Sequence, residues 1–146
     1  ADMGIDPLPV YTPPKRVPRN RFRLVVGRNA YITQGSSTNN ALLYELVPEN
    51  SLWIHPKPAK RLGISPGDTV KVSSRAGTGE LKVRITEETR EDTVYMDSGF
   101  GVLSTGLSNI YGKGACIAAI LEDYNDTISG NMAMHETIVS VKKIDD

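Results

Sequence analysis

The chain has 146 residues and 39% hydrophobic content, enough for one domain with its own core, and its 17 basic and 17 acidic residues cancel. Zero net charge leaves no basic field to hold a nucleic-acid backbone, so nucleic acid is not an expected partner. A single cysteine excludes an internal disulfide, and no apolar run reaches the ~20 residues of a membrane-spanning helix, so direct membrane insertion is not expected.

The first residue is Ala rather than Met and no signal peptide opens the chain, which suggests a domain taken from a longer polypeptide. Residues 1–21 read as a Pro-rich linker or strap. Pro7, Pro9, Pro13, Pro14 and Pro18 lie there, with Lys15, Arg16, Arg19 and Arg21 among them. Such a segment favours extended, polyproline-like backbone and cannot build a helix. The folded domain is expected over residues 22–146.

Strand signals begin at Phe22-Arg23-Leu24-Val25-Val26. A polar loop runs from Gly27 to Asn40, and Asn39 or Asn40 is placed to cap a short helix carrying Leu42, Leu43 and Leu46. Leu52-Trp53-Ile54 is the next strand, with Trp53 expected in the core. Pro56 then suits a first helical position, because its missing N–H costs nothing there. His55, just before it, fits a helix cap or a surface group. Ala59 and Leu62 share a helical face, and Gly63 supplies the left-handed residue that stops the helix.

Ser65-Pro66-Gly67-Asp68 has the Pro and Gly positions of a type II turn, and Val70-Lys71-Val72 alternates like a half-buried strand. Ala76-Gly77-Thr78-Gly79 reads as a hairpin turn. Beyond it Leu81, Val83 and Ile85 fall on one face and Lys82 and Arg84 on the other. Thr93-Val94-Tyr95-Met96 is another strand. A Gly-rich loop over 98–114 and an irregular stretch from Asn125 to Glu136 precede the closing strand Thr137–Val141. Short strands with short helical excursions point to a mainly β, closed barrel. Three long polar loops in a compact domain point to function.

Classical catalytic patterns are missing. Cys116 sits among Ala115, Ile117, Ala118 and Ala119, an apolar setting that suits an inert buried thiol better than a metal ligand. There is no Cys cluster for an iron–sulfur centre and no Ser/His/Asp spacing, and Glu87-Glu88 and Glu91-Asp92 read as solvated charges. No catalytic and no metal-binding residue is expected.

Five short motifs occur in order: Gly27-Arg28; Thr33…Ser37…Asn39-Asn40; Leu52-Trp53-Ile54-His55-Pro56…Ala59…Leu62-Gly63-Ile64…Gly67-Asp68; Gly99-Phe100-Gly101; and Asp126…Gly130. Over residues 22 to 142 the chain resembles the C-terminal dinucleotide-binding domain of the dimethyl sulfoxide reductase family of molybdenum and tungsten enzymes. Within it, the chain is most similar to the large subunits of thiosulfate and polysulfide reductases. The resemblance implies a double-psi β-barrel that binds molybdopterin guanine dinucleotide, with the metal held by another domain.

Carried over position by position, it implies cofactor contacts at Gly27, Arg28, Asn29, Thr33, Gln34, Ser37 and Asn40. It further implies contacts at His55, Gly99 and Phe100, and at Asn131, His135 and Glu136 closing over the pterin. Arg28 and the loop amides would anchor pyrophosphate, since charge-assisted bonds are strongest there. The chain departs from the family in having Ile32 and Ser98 where His is common, and Asp126-Thr127 where Asp-Pro is common.

The implied partners are the remaining catalytic domains of the parent subunit and an iron–sulfur electron-transfer subunit; the implied setting is a prokaryotic cell envelope or periplasm. The implied parent enzyme reduces a sulfur compound such as thiosulfate or polysulfide, and the domain alone is not expected to be catalytic. Two other readings stand beside this one: a non-enzymatic double-psi barrel that recognises protein through an apolar groove, and a small self-standing barrel enzyme. The second lacks any convergent catalytic pair.

Overall fold

The computed structural model describes residues 4, 8, 10–126 and 128–144. Pro7 and Pro9 of the strap, and Thr127, lie outside the described residues. Six strands close a barrel: β1 (Phe22–Gly27), β2 (Ser51–Ile54), β3 (Thr69–Ser73), β4 (Thr78–Ile85), β5 (Thr93–Asp97) and β6 (Ile138–Lys143). Around the barrel the order is β1-β5-β2-β4-β3-β6, with β6 closing on β1. Two pairs are parallel, β1 with β5 and β2 with β4, and every other pairing is antiparallel. Parallel neighbours need crossover connections, and two such pairs inside one closed barrel make the double-psi topology. No helix among the described residues is long and apolar enough to cross a membrane.

Period-two alternation fills the barrel. Leu24, Leu52, Ile54, Val70, Val72, Val94, Met96 and Val139 are all completely buried and form one cluster with Phe22, Leu81, Val83 and Val141. The same alternation corrects the expectation for Trp53. Because Leu52 and Ile54 both point inward, Trp53 must point outward, where its ring lies 4.9 Å from that of Tyr95 and the Arg84 guanidinium stacks 4.1 Å above it.

The local elements follow from their end residues. Asn40 caps α1 (Ala41–Leu46), its Oδ1 accepting from Leu42 N at 3.0 Å and Leu43 N at 3.4 Å. That helix does not bury its leucines: Leu42 and Leu46 are exposed. His55 caps α2 (Pro56–Arg61), its Nδ1 accepting from Lys57 N at 3.2 Å. Gly63, at φ +68°, ends α2 in a Schellman arrangement, with Ile64 N–H bonded to Ala59 O and Gly63 N–H to Lys60 O. The turn at Ser65–Asp68 has Gly67 at φ +83°, and Asp68 N–H returns to Ser65 O.

The β3–β4 turn falls earlier than expected, at Ser74-Arg75-Ala76-Gly77, and Thr78 and Gly79 already belong to β4. Ser74 causes this shift. Its Oγ accepts from Ala76 N at 3.0 Å and Gly77 N at 3.3 Å, so a side chain closes the turn at Gly77 and frees Thr78 and Gly79 for the strand. Cys116 is half-buried rather than buried.

Register assigns the loops to ends. Gly27 is opposite Asp97, and β2 runs antiparallel to β5 with Ile54 opposite Val94. The ends of β1 and β5 and the start of β2 therefore share one end of the barrel. The start of β5 and the end of β2, with His55, occupy the other.

Candidate functional site

At the Gly27 end, two of the three long loops leave the barrel side by side. Ser98 joins them at the base, where its N–H and its Oγ both donate to Gly27 O at 3.0 Å. Further out, Asn109 N–H donates to Asn39 Oδ1 at 3.0 Å and Asn109 Nδ2 to Asn39 O at 2.8 Å. Between these ties the loops press together at Gly99, which has φ +99°. A Cβ there would stand 2.7 Å from the Gln34 backbone. Gln34 is itself held at φ +46°, a left-handed value uncommon for a residue with a side chain.

Within the first loop the polar side chains divide into two groups. Asn29 Oδ1 accepts from Tyr31 N at 2.9 Å, Ser37 Oγ accepts from Thr33 N at 2.6 Å, and Asn40 caps α1. Those three shape the backbone. Arg28, Thr33 and Gln34 are exposed. With its amide oxygen turned toward Arg28, Gln34 accepts from Arg28 Nε at 3.0 Å and Nη2 at 3.2 Å, which orients the guanidinium without neutralising it. Gly27 lies against the Tyr95 ring, where a Cβ would be 2.4 Å from the hydroxyl. That hydroxyl donates to Asp97 Oδ1 at 2.7 Å, and burial first, then this bond, raise its pKa.

Phe100 is buried, as are Ile32 and Ile110, all three outside the main barrel cluster. Phe100 therefore anchors its loop. Both unusual positions are filled compactly as well: Ile32 is buried, and Ser98 is buried with its hydroxyl satisfied.

The third loop reaches the same end along β1. Thr137 O accepts from Leu24 N at 2.9 Å, and two residues earlier His135 Nδ1 accepts from Val26 N at 3.4 Å. His135 is exposed and not a core histidine. Glu136 turns the other way, with Arg23 Nη1 2.7 Å from its Oε1 and Lys15 N–H donating to its Oε2 at 2.8 Å. Asn131 is exposed; its carbonyl accepts from Asp126 N at 2.8 Å. Asp126 closes its own turn by accepting from Ser129 N at 2.7 Å and Ile128 N at 3.1 Å, and these bonds, Ser129's first, lower its pKa.

The geometry thus brings Gly27, Arg28, Thr33, Gln34, Gly99 and His135 to one end. His55 lies at the opposite end, beside Thr89–Asp92, with its Nδ1 occupied as a cap. Glu136 is engaged with Arg23 and the strap.

Sequence reasoning missed Asn50. Its side chain is buried at the root of the second loop, with Nδ2 donating to Asp97 O at 2.8 Å and Ala115 O at 3.0 Å, while Oδ1 accepts from Ala115 N at 2.9 Å. Nothing in Pro48-Glu49-Asn50-Ser51 distinguishes it from an ordinary turn residue.

Residues 27–40 and 98–114 contain no Asp or Glu, but do contain Arg28 and Lys113. Two ordered loops free of carboxylates and rich in amides and hydroxyls are chemically suited to a phosphorylated, polar organic ligand. A model of the family described as Molydopterin dinucleotide binding domain matches residues 22–138. The chain belongs to this family.

The domain is 27% identical over 113 residues to the thiosulfate reductase molybdopterin-containing subunit of Salmonella typhimurium, covering 77% of this chain and 15% of that one. It is 30% identical over 152 residues to the arsenate respiratory reductase molybdopterin-containing subunit of Chrysiogenes arsenatis (92% and 18%), and 26% identical over 145 residues to the dimethyl sulfoxide reductase DmsA of Escherichia coli (96% and 18%). Among solved structures, acetylene hydratase from Pelobacter acetylenicus superposes with a TM-score of 0.80 at 22% identity, over 98% of this chain and 22% of that one. That likeness concerns the fold. The chain spans less than a fifth of the length of these three relatives.

The family's ligand is a molybdopterin dinucleotide, and the donor set fits it. A guanidinium oriented by a neutral amide suits a pyrophosphate, and hydroxyl, amide and imidazole groups at the same end of the barrel suit heteroatoms of an organic ligand.

Proposed function

We propose that this domain positions molybdopterin guanine dinucleotide inside a larger molybdenum or tungsten oxidoreductase, using the Gly27 end of the barrel. The observation that carries the reading is the pair of carboxylate-free loops, tied at Gly27–Ser98 and Asn39–Asn109, with the Arg28 guanidinium exposed on the first of them. Arg28, Thr33 and Gln34 hold the pyrophosphate side, and His135 and Asn131 approach from the third loop. Gly27, Gly99 and Phe100 keep the loop bases close together, while Asn29, Ser37 and Asn40 fix the backbone amides. When bound, the cofactor supplies dithiolene sulfur to a metal carried by another domain and passes electrons. This chain's own residues bind and orient it. His55 contributes through α2, and Glu136 by fixing the stretch that carries His135.

Residues 1–21 act as a strap and 22–146 as the binding barrel. The partners are the rest of the parent subunit and an iron–sulfur electron-transfer subunit. Exposed apolar side chains support docking against further polypeptide: Tyr31, Leu42, Leu46, Leu103 and Tyr111 all belong to segments at the Gly27 end. A sulfur-compound substrate for the parent is supported by the thiosulfate reductase relative, alongside others named for arsenate and dimethyl sulfoxide.

The direct test is calorimetric titration of the chain with guanosine 5′-diphosphate, the nucleotide half of the cofactor. Saturable binding that Arg28→Gln weakens supports the reading. Nucleotide binding that is indifferent to Arg28, or a purified full-length parent that yields no pterin, overturns it.

A further inference from the structure

A concavity lies away from these loops. Residues 15–21 of the strap pass beside the β3–β4 turn, and together they border a half-open hollow of about 570 Å3. Lys15, Arg16 and Arg21 line it from the strap and Arg75 from the turn. One acid faces them, Glu122, 3.9 Å from Lys15 Nζ. Arg16, Arg21 and Arg75 are exposed and have no acidic partner among the described residues. In a chain of zero net charge, four cations against one acid is a local concentration.

The backbone beneath these cations is already fixed. Lys15 N–H donates to Glu136 Oε2 at 2.8 Å and Lys15 O accepts from Arg23 Nη2, which holds the strap to β1. On the opposite wall Ser74 Oγ donates to Ile120 O and accepts from Ala76 and Gly77, which fixes the turn carrying Arg75. Backbones set in advance reduce the ordering cost of binding. Pro18 and Ile138 give the wall an apolar portion.

Cations from two elements converging on one hollow suit a compact, multiply charged anion; an extended acidic chain would call for a stripe. Guanidinium forks match phosphate oxygens in pairs. We propose that this cavity binds a phosphate-bearing small molecule at a site separate from the dinucleotide loops. Ile138 pairs with Arg23 at the start of β1, whereas those loops leave from its end, so the two sites lie at opposite ends of that strand. The proposal stands independently of the cofactor reading.

The test is a titration of the whole chain with inorganic pyrophosphate at low salt, followed by backbone amide NMR shifts. Saturable shifts over residues 15–21 and 74–77 are expected, with affinity falling as salt rises. The Arg16→Gln/Arg75→Gln variant should lose about tenfold in affinity while keeping its unfolding midpoint, and Arg28→Gln should bind normally. A nucleoside diphosphate titrated into Arg28→Gln separates two sources of the phosphate. Tighter binding than pyrophosphate gives the apolar wall to an organic group, and equal binding points to an inorganic polyphosphate; both support the site. Three results overturn it: no saturable shifts, shifts confined to residues 28–37, or an acidic peptide binding these residues more tightly than pyrophosphate. Guanosine diphosphate binding at Arg28 is read from its own calorimetric titration, so failure of this site and failure of the cofactor reading are distinguishable.

Discussion

Asn50 and Ala115 exchange two hydrogen bonds inside the protein, Nδ2 to Ala115 O at 3.0 Å and Ala115 N–H to Oδ1 at 2.9 Å, while Nδ2 also reaches Asp97 O at 2.8 Å. One side chain thus joins the start of β2, the end of β5 and the exit of the 98–114 loop. Gly114 leaves room for it, since a Cβ there would stand 2.2 Å from Asn50 Oδ1. The loops that form the candidate cofactor site are therefore rooted in the barrel by a buried amide as well as by their own packing.

Asn50→Ala should destabilise the chain by roughly 3 kcal/mol, because it leaves buried carbonyls and an N–H without partners in addition to opening a void. Urea unfolding should show a lower midpoint at unchanged slope. If the loss were below about 0.5 kcal/mol, the amide would not be the root described here.

Gly99→Ala tests the contact between the two loops. The added methyl meets the Gln34 backbone at 2.7 Å, and φ of +99° disfavours any L side chain. Gln34 must move, and Arg28, which it orients, moves with it. Guanosine diphosphate affinity should fall by about tenfold or more, a cost of about 1.4 kcal/mol or more on binding. Calorimetry on the variant and on Gly112→Ala gives the comparison. Gly112 has positive φ but no heavy atom within 4 Å of its would-be Cβ, so it carries the strain without the collision.

The barrel was legible because its signals are local. Alternation at Val70-Lys71-Val72 and Leu81–Ile85, Pro56 at a helix start, and Gly63 and Gly67 at turns each act within a few residues. Trp53 was misplaced because its size argued for burial, whereas the pleat between Leu52 and Ile54 decides its face. Asn50 was invisible because its partners are distant in sequence, 47 positions away for Asp97 and 65 for Ala115. His55 was drawn toward the site by its motif, yet register carries it to the opposite end. The short helix carrying Leu42 and Leu46 forms behind its Asn40 cap as expected, and both leucines remain exposed.

Arg28→Gln separates binding from stability. The residue is exposed and bonded only to the Gln34 side chain among the described residues, so unfolding should move by no more than about 0.5 kcal/mol. Loss of a charge-assisted contact to phosphate should weaken guanosine diphosphate by roughly tenfold, and the wild-type affinity should decline with salt more steeply than the variant's. Thermal melts paired with calorimetry at two salt concentrations measure both.

Glu136 gives the strap a pH dependence of defined sign. Burial is the largest single influence on its carboxyl and pushes the pKa up, but the Arg23 side-chain bond and the Lys15 N–H together outweigh it and leave the value below the usual 4.5. The folded value lies under the unfolded one, so on acidification the unfolded chain takes up the proton first. The contribution is fully present above about pH 4.5 and is lost as pH falls through the folded value. From the geometry of one charge-assisted pair it should be on the order of 1 kcal/mol. Asp68 and Asp126 are also lowered, by the Lys143 bond and the Ser129 backbone bond respectively, so the wild-type curve alone would not isolate Glu136. The decisive quantity is the stability gap between wild type and Glu136→Gln from urea unfolding at successive pH values. It should be constant above about pH 5.5 and close as pH falls below about 4, because protonated Glu and Gln then present nearly the same group to Arg23. A gap that widened on acidification would mean that Arg23 and Lys15 do not hold the carboxylate in its charged form.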